Sequence, residues 1–169
     1  DDLQTPAAVT VEAWVSPEGP FAQQEGPGIV YAGSYLMRIT RGTPSFHVFT
    51  TAWKPVMARS PAGRGAWLHL VGTYDGTEMR IYVNGKLSGA LPRTGAIARS
   101  ERAFELGRQA NAFTGVIDEV RITRRCLSET EVAASFAADC KRLNPGVAPG
   151  KLREPFEELF GGARDQHLP

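Results

Sequence analysis

The chain has 169 residues, and its 19 Lys and Arg residues against 18 Asp and Glu residues give a formal charge of +1. A charge this balanced gives no electrostatic reason to expect a nucleic acid or an anionic membrane as partner. The apolar runs are a few residues long, whereas spanning a bilayer takes about 18, so no membrane insertion is expected. The length suffices for one domain, and 18 Gly with 12 Pro favour many turns between short strands.

The first half of the chain is a series of short strand patterns. Apolar and polar residues alternate from Val9 to Ser16, which predicts a half-buried strand. Further apolar runs predict strands at 28–32, 35–40 and 45–50, separated by turn residues.

The centre of the chain carries the clearest turn signals. A predicted strand at 67–74 ends at Asp75-Gly76, and a second one at 79–83 ends at Asn84-Gly85 before the chain continues into 86–91. Asp-Gly and Asn-Gly tolerate the positive φ angles that tight hairpins require. The sequence therefore predicts an antiparallel meander here.

Two further strands follow, a short one at 104–107 and a long one at 114–123. In the long strand, a period of two places Val116, Asp118 and Val120 on one face, together with Ile122.

A helix is expected only after these strands. Ser128 and Glu131 have the spacing of a capping box, and Val132 and Phe136 begin an apolar stripe on a short helix. The composition changes beyond Cys140. We therefore predict a domain over 1–140 and a C-terminal linker or tail over 141–169, with a possible short helix at 154–160.

Many short strands, frequent turns and one late helix indicate an all-β protein. The predicted architecture is an antiparallel β-sandwich or jelly roll with one short helix after the last strand.

Several segments in this order resemble the laminin-G-like, concanavalin-A-like jelly-roll superfamily found in bacterial extracellular proteins. The matching stretches are 9–15, 67–76, 81–85, 106–107, 113–122 and 127–132. The resemblance implies the jelly-roll fold. It does not specify a function, because this superfamily includes lectins, adhesion modules, enzyme-appended modules and a few catalytic groups. Members usually have another strand before the segment at Val9, and only eight residues precede it here.

Catalysis is not expected. A glycoside hydrolase on such a sandwich needs two inward-pointing carboxylates about 5–5.5 Å apart for a retaining mechanism. Asp118 and Glu119 are neighbours and would point to opposite faces, and Glu129 and Glu131 lie at the helix start, where they complement the dipole.

A structural calcium ion is implied by the resemblance, since similar sandwiches often hold one near the first and last strands. Asp118 is the best single ligand candidate, with backbone carbonyls of the N-terminal residues, because oxygen ligands suit calcium. The alternative is that Asp118, flanked by core positions, accepts hydrogen bonds from backbone N–H groups or pairs with an arginine.

Ligand recognition by a lectin-like module would use exposed aromatic side chains. Trp53 is the aromatic residue that a core pattern explains least, and Tyr35 and Phe113, both beside turns, come second. For each of the three, packing at the edge of the core is the alternative.

The two cysteines, Cys126 and Cys140, flank the predicted helix. A disulfide between them would close a loop of about 15 residues and stabilise the fold by roughly 3 kcal/mol. Such a bond would suit an exported protein.

The sequence thus predicts a non-catalytic binding module of a larger extracytoplasmic bacterial protein, secreted, periplasmic or on the cell surface. Its expected partner is a glycan or a protein surface, together with a neighbouring domain of the same polypeptide. One alternative is a structural or interaction domain with no small ligand, and another is a carbohydrate-active enzyme.

Overall fold

The protein is described by a computed structural model, which covers residues 7–19, 26, 28–109 and 111–143. Within these residues the chain forms twelve strands and one helix. In chain order they are β1 (Val9–Pro17), β2 (Gly28–Tyr31), β3 (Tyr35–Thr40), β4 (Thr43–Phe49), β5 (Trp53–Met57), β6 (Leu68–Tyr74), β7 (Glu78–Val83), β8 (Lys86–Pro92), β9 (Glu105–Leu106), β10 (Arg108–Gln109), β11 (Asn111–Ala112), β12 (Gly115–Thr123) and α1 (Glu129–Leu143).

Ten of the described strands form two antiparallel sheets that pack face to face. Sheet 1 has the order β12-β1-β6-β7-β8, and sheet 2 has the order β5-β4-β3-β2-β9, while β10 and β11 form a separate hairpin. This confirms the predicted all-β antiparallel sandwich with a helix after the last strand.

The core lies between the two sheets and contains apolar side chains from both, among them Val11, Ile81, Met37 and Phe46. One close approach of the two sheets is at Gly72 of β6. A Cβ atom added there would lie 2.3 Å from the Phe46 ring, so the aromatic ring occupies the space that a larger residue would need.

The central meander, β6-β7-β8, is confirmed, and its turn residues adopt the expected backbone. Asn84 and Gly85 have φ angles of 51° and 74°, and Gly76 has a φ of 91°. The Asp75 carboxylate accepts the backbone N–H of Thr77 at 2.8 Å, which holds the first of the two turns.

Two regions differ from the sequence prediction. The sequence does not predict β5, because Pro55 interrupts its strand pattern. Proline is tolerated at this position since β5 is the edge strand of sheet 2. The strand predicted at 104–107 is β9, and a second short hairpin, β10–β11, follows it.

β1 is buried along its whole length rather than half-buried as its alternation predicts. Val9, Val11 and Val15 face the core, while Glu12 and Trp14 on the other face are covered by α1. In this strand, the side chains that alternate with the core residues do not face solvent. They lie in a second buried layer, between sheet 1 and α1.

The capping box of α1 is confirmed. The Glu131 N–H donates to Ser128 Oγ at 3.3 Å, and the Ser128 N–H donates to Glu131 Oε2 at 2.8 Å. The helix continues to Leu143, three residues past the predicted domain boundary at 140, and the rest of the predicted tail, 144–169 with its helix at 154–160, lies outside the described residues. Within the described part of the chain, no helix is both long and apolar enough to cross a membrane.

Candidate functional site

The outer face of sheet 1 is closed by α1. A small apolar cluster of Val71, Tyr82, Leu127 and Val132 joins the sheet to the helix. Next to it, the Phe136 ring of α1 stacks on Trp14 at 5.7 Å between ring centroids. The part of this face that lies under α1 is therefore an internal interface.

The same interface contains a network of charged groups. Glu12 Oε1 accepts the Ser135 hydroxyl at 2.6 Å and lies 3.2 Å from His69 Nε2. Asp139 of α1 accepts the Trp14 indole N–H at 2.9 Å and binds both terminal nitrogens of Arg121, at 2.7 and 2.8 Å. The helix is thus fixed to the sheet by charge-assisted hydrogen bonds as well as by apolar packing.

Both acids of this network stay ionised at neutral pH. Burial alone would raise the pKa of Glu12, but hydrogen bonding with His69 and Ser135 and the Arg121 charge lower that pKa below its usual range. Burial alone would also raise the pKa of Asp139. The hydrogen bonds that Asp139 accepts from Arg121 and Trp14 outweigh this effect, so its pKa is lowered as well. Because their oxygens are engaged within the interface, these carboxylates serve to hold α1.

The outer face of sheet 2 is different in character. Side chains that alternate with core residues along β2 to β5 point to this face: Tyr31, Leu36, Arg38, Ser45, His47, Phe49, Trp53, Pro55 and Met57. The central ones, including Arg38 and His47, are buried, whereas those on the edge strand β5 are exposed. The accessible part of this face is therefore its β5 edge.

A short polar chain lies under the centre of this face. Ser45 Oγ is 2.9 Å from His47 Nε2 and 2.7 Å from Thr40 Oγ1. Burial, together with the Arg38 charge, lowers the pKa of His47 to about 3. The imidazole is therefore neutral at physiological pH, and Arg38 carries the positive charge of the central region.

We use the name β5 surface for the exposed side chains of the edge strand: Trp53, Pro55 and Met57 on the outer face of sheet 2, and Lys54, which alternation turns to the other side of the strand. Trp53 is 41% exposed. Its ring lies 5.4 Å from the Phe49 ring of the neighbouring strand, between centroids, at an angle of 55°. An exposed indole held by a second ring is a ready platform for an apolar face of a ligand.

The other two predicted ligand-binding aromatics do not lie on this surface. Tyr35, which is 1% exposed, belongs to the core, and this corrects the expectation of a surface ring, because alternation along β3 turns it inward beside Met37. Phe113 is partly buried and packs against the core. For these two residues the alternative, packing in or at the edge of the core, describes their position.

Asp118 is exposed, which corrects the expectation that core positions flank it. A β-bulge at Glu119, whose φ is 49°, shifts the register between β1 and β12 and turns Asp118 to the outer face opposite Trp14. Ile117 and Val120 point to the core instead. One Asp118 oxygen accepts the Glu119 N–H at 2.8 Å.

The described residues do not by themselves form a metal site around Asp118. Within 7–19, 26, 28–109 and 111–143, no group of three or more His, Cys, Asp or Glu side chains is arranged to hold a metal ion. The N-terminal residues expected to complete a calcium site lie outside this set, so a structural calcium ion stays a prediction.

Cys126 and Cys140 are free thiols in the structure, which corrects the predicted disulfide. Cys126 precedes α1, and Cys140 is eleven residues beyond the first helical residue, Glu129. A rise of about 1.5 Å per residue places it roughly 16 Å along the helix, whereas a disulfide needs Cα atoms within about 7 Å. The helix is longer than the sequence indicates, and its length keeps the cysteines apart.

Sequence reasoning found Trp53 but missed its neighbours on the same face, Phe49, His47 and Arg38. Their common orientation depends on the pairing of β4 with β5, and β5 is the strand that the sequence does not predict. The absence of any acidic residue from position 26 to position 74 is the signal that would have drawn attention to this region.

Two antiparallel sheets with a shared core, one outer face covered by a helix, define a jelly-roll β-sandwich. Residues 1–133 match the family described as the concanavalin A-like lectin/glucanases superfamily, and the chain belongs to this superfamily. No curated protein sequence matches the chain.

Several solved structures share the fold at low sequence identity. The binding domain of Paraclostridial Mosquitocidal Protein 1 has a TM-score of 0.66 at 13% identity, over 81% of this chain and 38% of that one. The receptor binding domain of botulinum neurotoxin C/D mosaic serotype has a TM-score of 0.64 at 11% identity, over 82% of this chain and 38% of that one. Domain 4 of AbnA, an extracellular arabinanase from Geobacillus stearothermophilus, was solved in complex with arabinotriose. It has a TM-score of 0.65 at 21% identity, over 79% of this chain and 68% of that one.

Proposed function

We propose that the protein is a non-catalytic module that binds carbohydrate through the β5 surface. The observation that carries this proposal is the exposed Trp53 ring, held by Phe49 at the open edge of a sheet whose counterpart is closed by a helix. Stacking on sugar rings needs an accessible aromatic face with polar groups beside it, and the exposed Arg99 supplies one, since the Ala98 N–H donates to the Phe49 carbonyl at 3.0 Å.

The distribution of carboxylates supports binding rather than hydrolysis. Among the described strands of sheet 2, the single acidic residue is Glu105 of β9, at the edge opposite β5. A glycosidase would need a pair of carboxylates on the face that holds the substrate. Glu12 and Asp139, the buried acids, belong to the interface with α1.

The similar structures favour the same proposal. They are binding domains of toxins and a domain of an extracellular arabinanase in complex with arabinotriose, and this chain spans 38% of those toxin domains and 68% of that arabinanase domain. We propose that this domain, too, is one module of a larger extracytoplasmic polypeptide.

A protein surface is the second candidate partner. Phe104 and Leu106, at the β9 edge of sheet 2, are exposed apolar side chains. The short strand β9 leaves this edge available for contact with another domain or protein.

Affinity electrophoresis against soluble polysaccharides, including arabinan, tests the proposal with Trp53→Ala. We expect retardation of the wild type by at least one polysaccharide and a loss of affinity in Trp53→Ala of about 30-fold, because truncating a central aromatic contact costs about 2 kcal/mol or more. The matched control is Leu87→Ala, since Leu87 is similarly exposed but lies on sheet 1. Retardation that Trp53→Ala leaves intact would reject the β5 surface as the sugar site.

A further inference from the structure

Charge is distributed unevenly along the chain. Residues 26–74, which include β2 to β6, have no acidic residue and contain five cationic ones: Arg38, Arg41, Lys54, Arg59 and Arg64. This segment has a formal charge of +5, so the rest of the chain carries +1 − 5 = −4. The nearly neutral total therefore conceals a positive region centred on sheet 2.

Outside this region, four cations of the described residues form ion pairs, while others, among them Lys86, Arg108 and Lys141, are exposed and form none. Arg80 binds Asp75 at 3.1 Å, and Arg121 binds Asp139 at 2.7 Å. Arg142 binds Glu119 at 2.6 Å, and Arg125 binds Glu131 at 2.7 Å.

Within the region, Arg41, Lys54, Arg59 and Arg64 are exposed and form no ion pair with other described residues, and no acidic residue of the segment competes for them. Their charges remain available to a partner.

These cations are placed along the β5 edge. Lys54 follows Trp53 at one end, and Arg59 comes two residues after β5 at the other. Hydrogen bonds from the Ala58 N–H to the Pro44 carbonyl, at 2.9 Å, and from the Ala62 N–H to the Gly42 carbonyl, at 2.8 Å, bring the β3–β4 turn beside this second end. Arg41 in that turn therefore lies at the same end as Arg59. At about 3.3 Å per residue, Lys54 and Arg59 are roughly 17 Å apart along the strand.

The loop after β8 adds two arginines near the aromatic pair. The Ala98 N–H donates to the Phe49 carbonyl at 3.0 Å, which places the exposed Arg99 beside Phe49. Arg93 donates to the Ala52 carbonyl at 2.5 Å. Glu101 is the single acidic residue between Glu78 and Glu105, so positive charge dominates around the rings as well.

We infer that the β5 surface binds a negatively charged linear polysaccharide, in which Trp53 stacks on one sugar ring while Lys54, Arg59 and Arg41 contact carboxylates or sulfates on successive units. This inference rests on the proposed carbohydrate-binding function and specifies its ligand class. Ammonium and guanidinium groups pair with both kinds of anion, so the shared requirement is a chain of anionic sugars.

Paired polymers test the charge requirement. Binding of the full chain is measured by affinity electrophoresis and by tryptophan fluorescence with polygalacturonate and its methyl ester, and with dextran sulfate and dextran. Within each pair the sugar is retained and the charge removed, so the first pair reports carboxylate recognition and the second sulfate recognition. Polyglutamate supplies carboxylates without sugar rings.

Two double variants with the same change in net charge locate the site. Lys54→Glu with Arg59→Glu should weaken binding of the charged polymer about tenfold or more, because like charges brought together are strongly unfavourable. Arg108→Glu with Lys141→Glu, at exposed positions on β10 and α1, should retain wild-type affinity. Raising the ionic strength to about 1 M, where the Debye length falls to about 3 Å, should weaken the wild type in the same way.

The outcomes separate the inference from the function on which it rests. Preference for a charged polymer over its neutral partner, lost in the β5 double variant and in Trp53→Ala, supports both. Equal binding of charged and neutral forms that still depends on Trp53 overturns the inference and leaves carbohydrate binding intact. If polyglutamate or a DNA duplex binds as tightly as the charged polysaccharides, and binding does not depend on Trp53, the inference is also overturned. If no polysaccharide binds, both the inference and the proposed carbohydrate-binding function are rejected.

Discussion

The outer faces of the two sheets each carry a tryptophan, but one of these side chains is covered and the other is accessible. On sheet 1, Trp14 is 3% exposed and lies under α1, where acidic and cationic side chains neutralise one another. On sheet 2, Trp53 is 41% exposed at the edge of a face whose strands β2 to β5 contain no acid. The first tryptophan is part of the structure's interior, and the second is at the surface.

This difference shows how one helix, α1, together with the carboxylates of Glu12 and Asp139, buries part of a sheet face that would otherwise meet solvent. Asp139 of α1 accepts the Trp14 indole N–H and Ser135 of α1 donates to Glu12, so the helix satisfies polar groups of β1 that its packing removes from water. The β5 edge has no such element within the described residues and retains unpaired cations. Stability and binding are therefore expected to depend on different faces, which can be tested separately.

The largest effect is expected from exchanging the two tryptophans for alanine. Trp14→Ala should lower the free energy of unfolding by about 3–5 kcal/mol, since a large buried ring and its indole hydrogen bond are lost. Trp53→Ala should lower it by about 1 kcal/mol or less, because the ring is largely at the surface. Urea unfolding curves give both values. Similar losses in the two variants would contradict the contrast between the faces.

A smaller loss is expected when the acid that links α1 to the sheet is removed. In Asp139→Ala, the Trp14 N–H and the Arg121 guanidinium lose their shared acceptor, and we expect a cost of about 2–3 kcal/mol, moderated by the partial exposure of Arg121. Glu101→Ala, at an exposed loop position, serves as control and should stay within about 0.5 kcal/mol of the wild type. The same unfolding experiment measures both, and a loss in the control equal to that in Asp139→Ala would speak against the network.

The last effect concerns the pH dependence of stability, and it is small near neutral pH. His47 on sheet 2 has its pKa lowered to about 3 by burial and the Arg38 charge. Because the unfolded chain takes up a proton near pH 6.5 and the folded chain does not, stability should fall as the pH drops below about 6.5, by up to about 1.4 kcal/mol per pH unit. His47→Gln should flatten this part of the profile, and an unchanged slope would exclude His47 as its source.

The acids of sheet 1 act in a lower pH range of the same profile. The pKa values of Glu12 and Asp139 are lowered from 4.5 and 3.8 in the folded chain, so their stabilisation is present above about pH 4.5 and is lost as the pH falls through the folded values. Glu12→Gln should reduce the slope below pH 4.5 and leave the His47 region unchanged.

Local signals in the sequence were sufficient for much of the fold. The Asp75-Gly76 and Asn84-Gly85 turns define the meander, and the Ser128–Glu131 spacing defines the start of α1. These features depend on residues close in the chain. The edge strand β5 was missed because Pro55 weakens its local pattern, and a proline is tolerated at an edge that only tertiary structure reveals.

The candidate site was harder to predict because it depends on register. A single bulge at Glu119 reverses the orientation of Asp118, and alternation in β3 buries Tyr35. Trp53 was identified because no core pattern explained it. Phe49, His47 and Arg38 were not associated with it, since their shared face exists only once β4 pairs with its neighbours.

The position of β1 between β6 and β12 also fixes an order of events during synthesis. Trp14 finds its hydrogen-bond partner Asp139 across 125 residues of chain, whereas β2, β3 and β4 each pair with the next strand in the chain. As the chain leaves the ribosome, β2 to β5 can pair with one another as soon as they are made. β1 stays unpaired until its partners β6 and β12 have been made. Among the described elements, sheet 1 is therefore completed by the two that are made last, β12 and α1, and distant contacts of this kind form slowly. A chain interrupted before residue 129 would present the Trp14 surface to the chaperones and proteases that meet incomplete products.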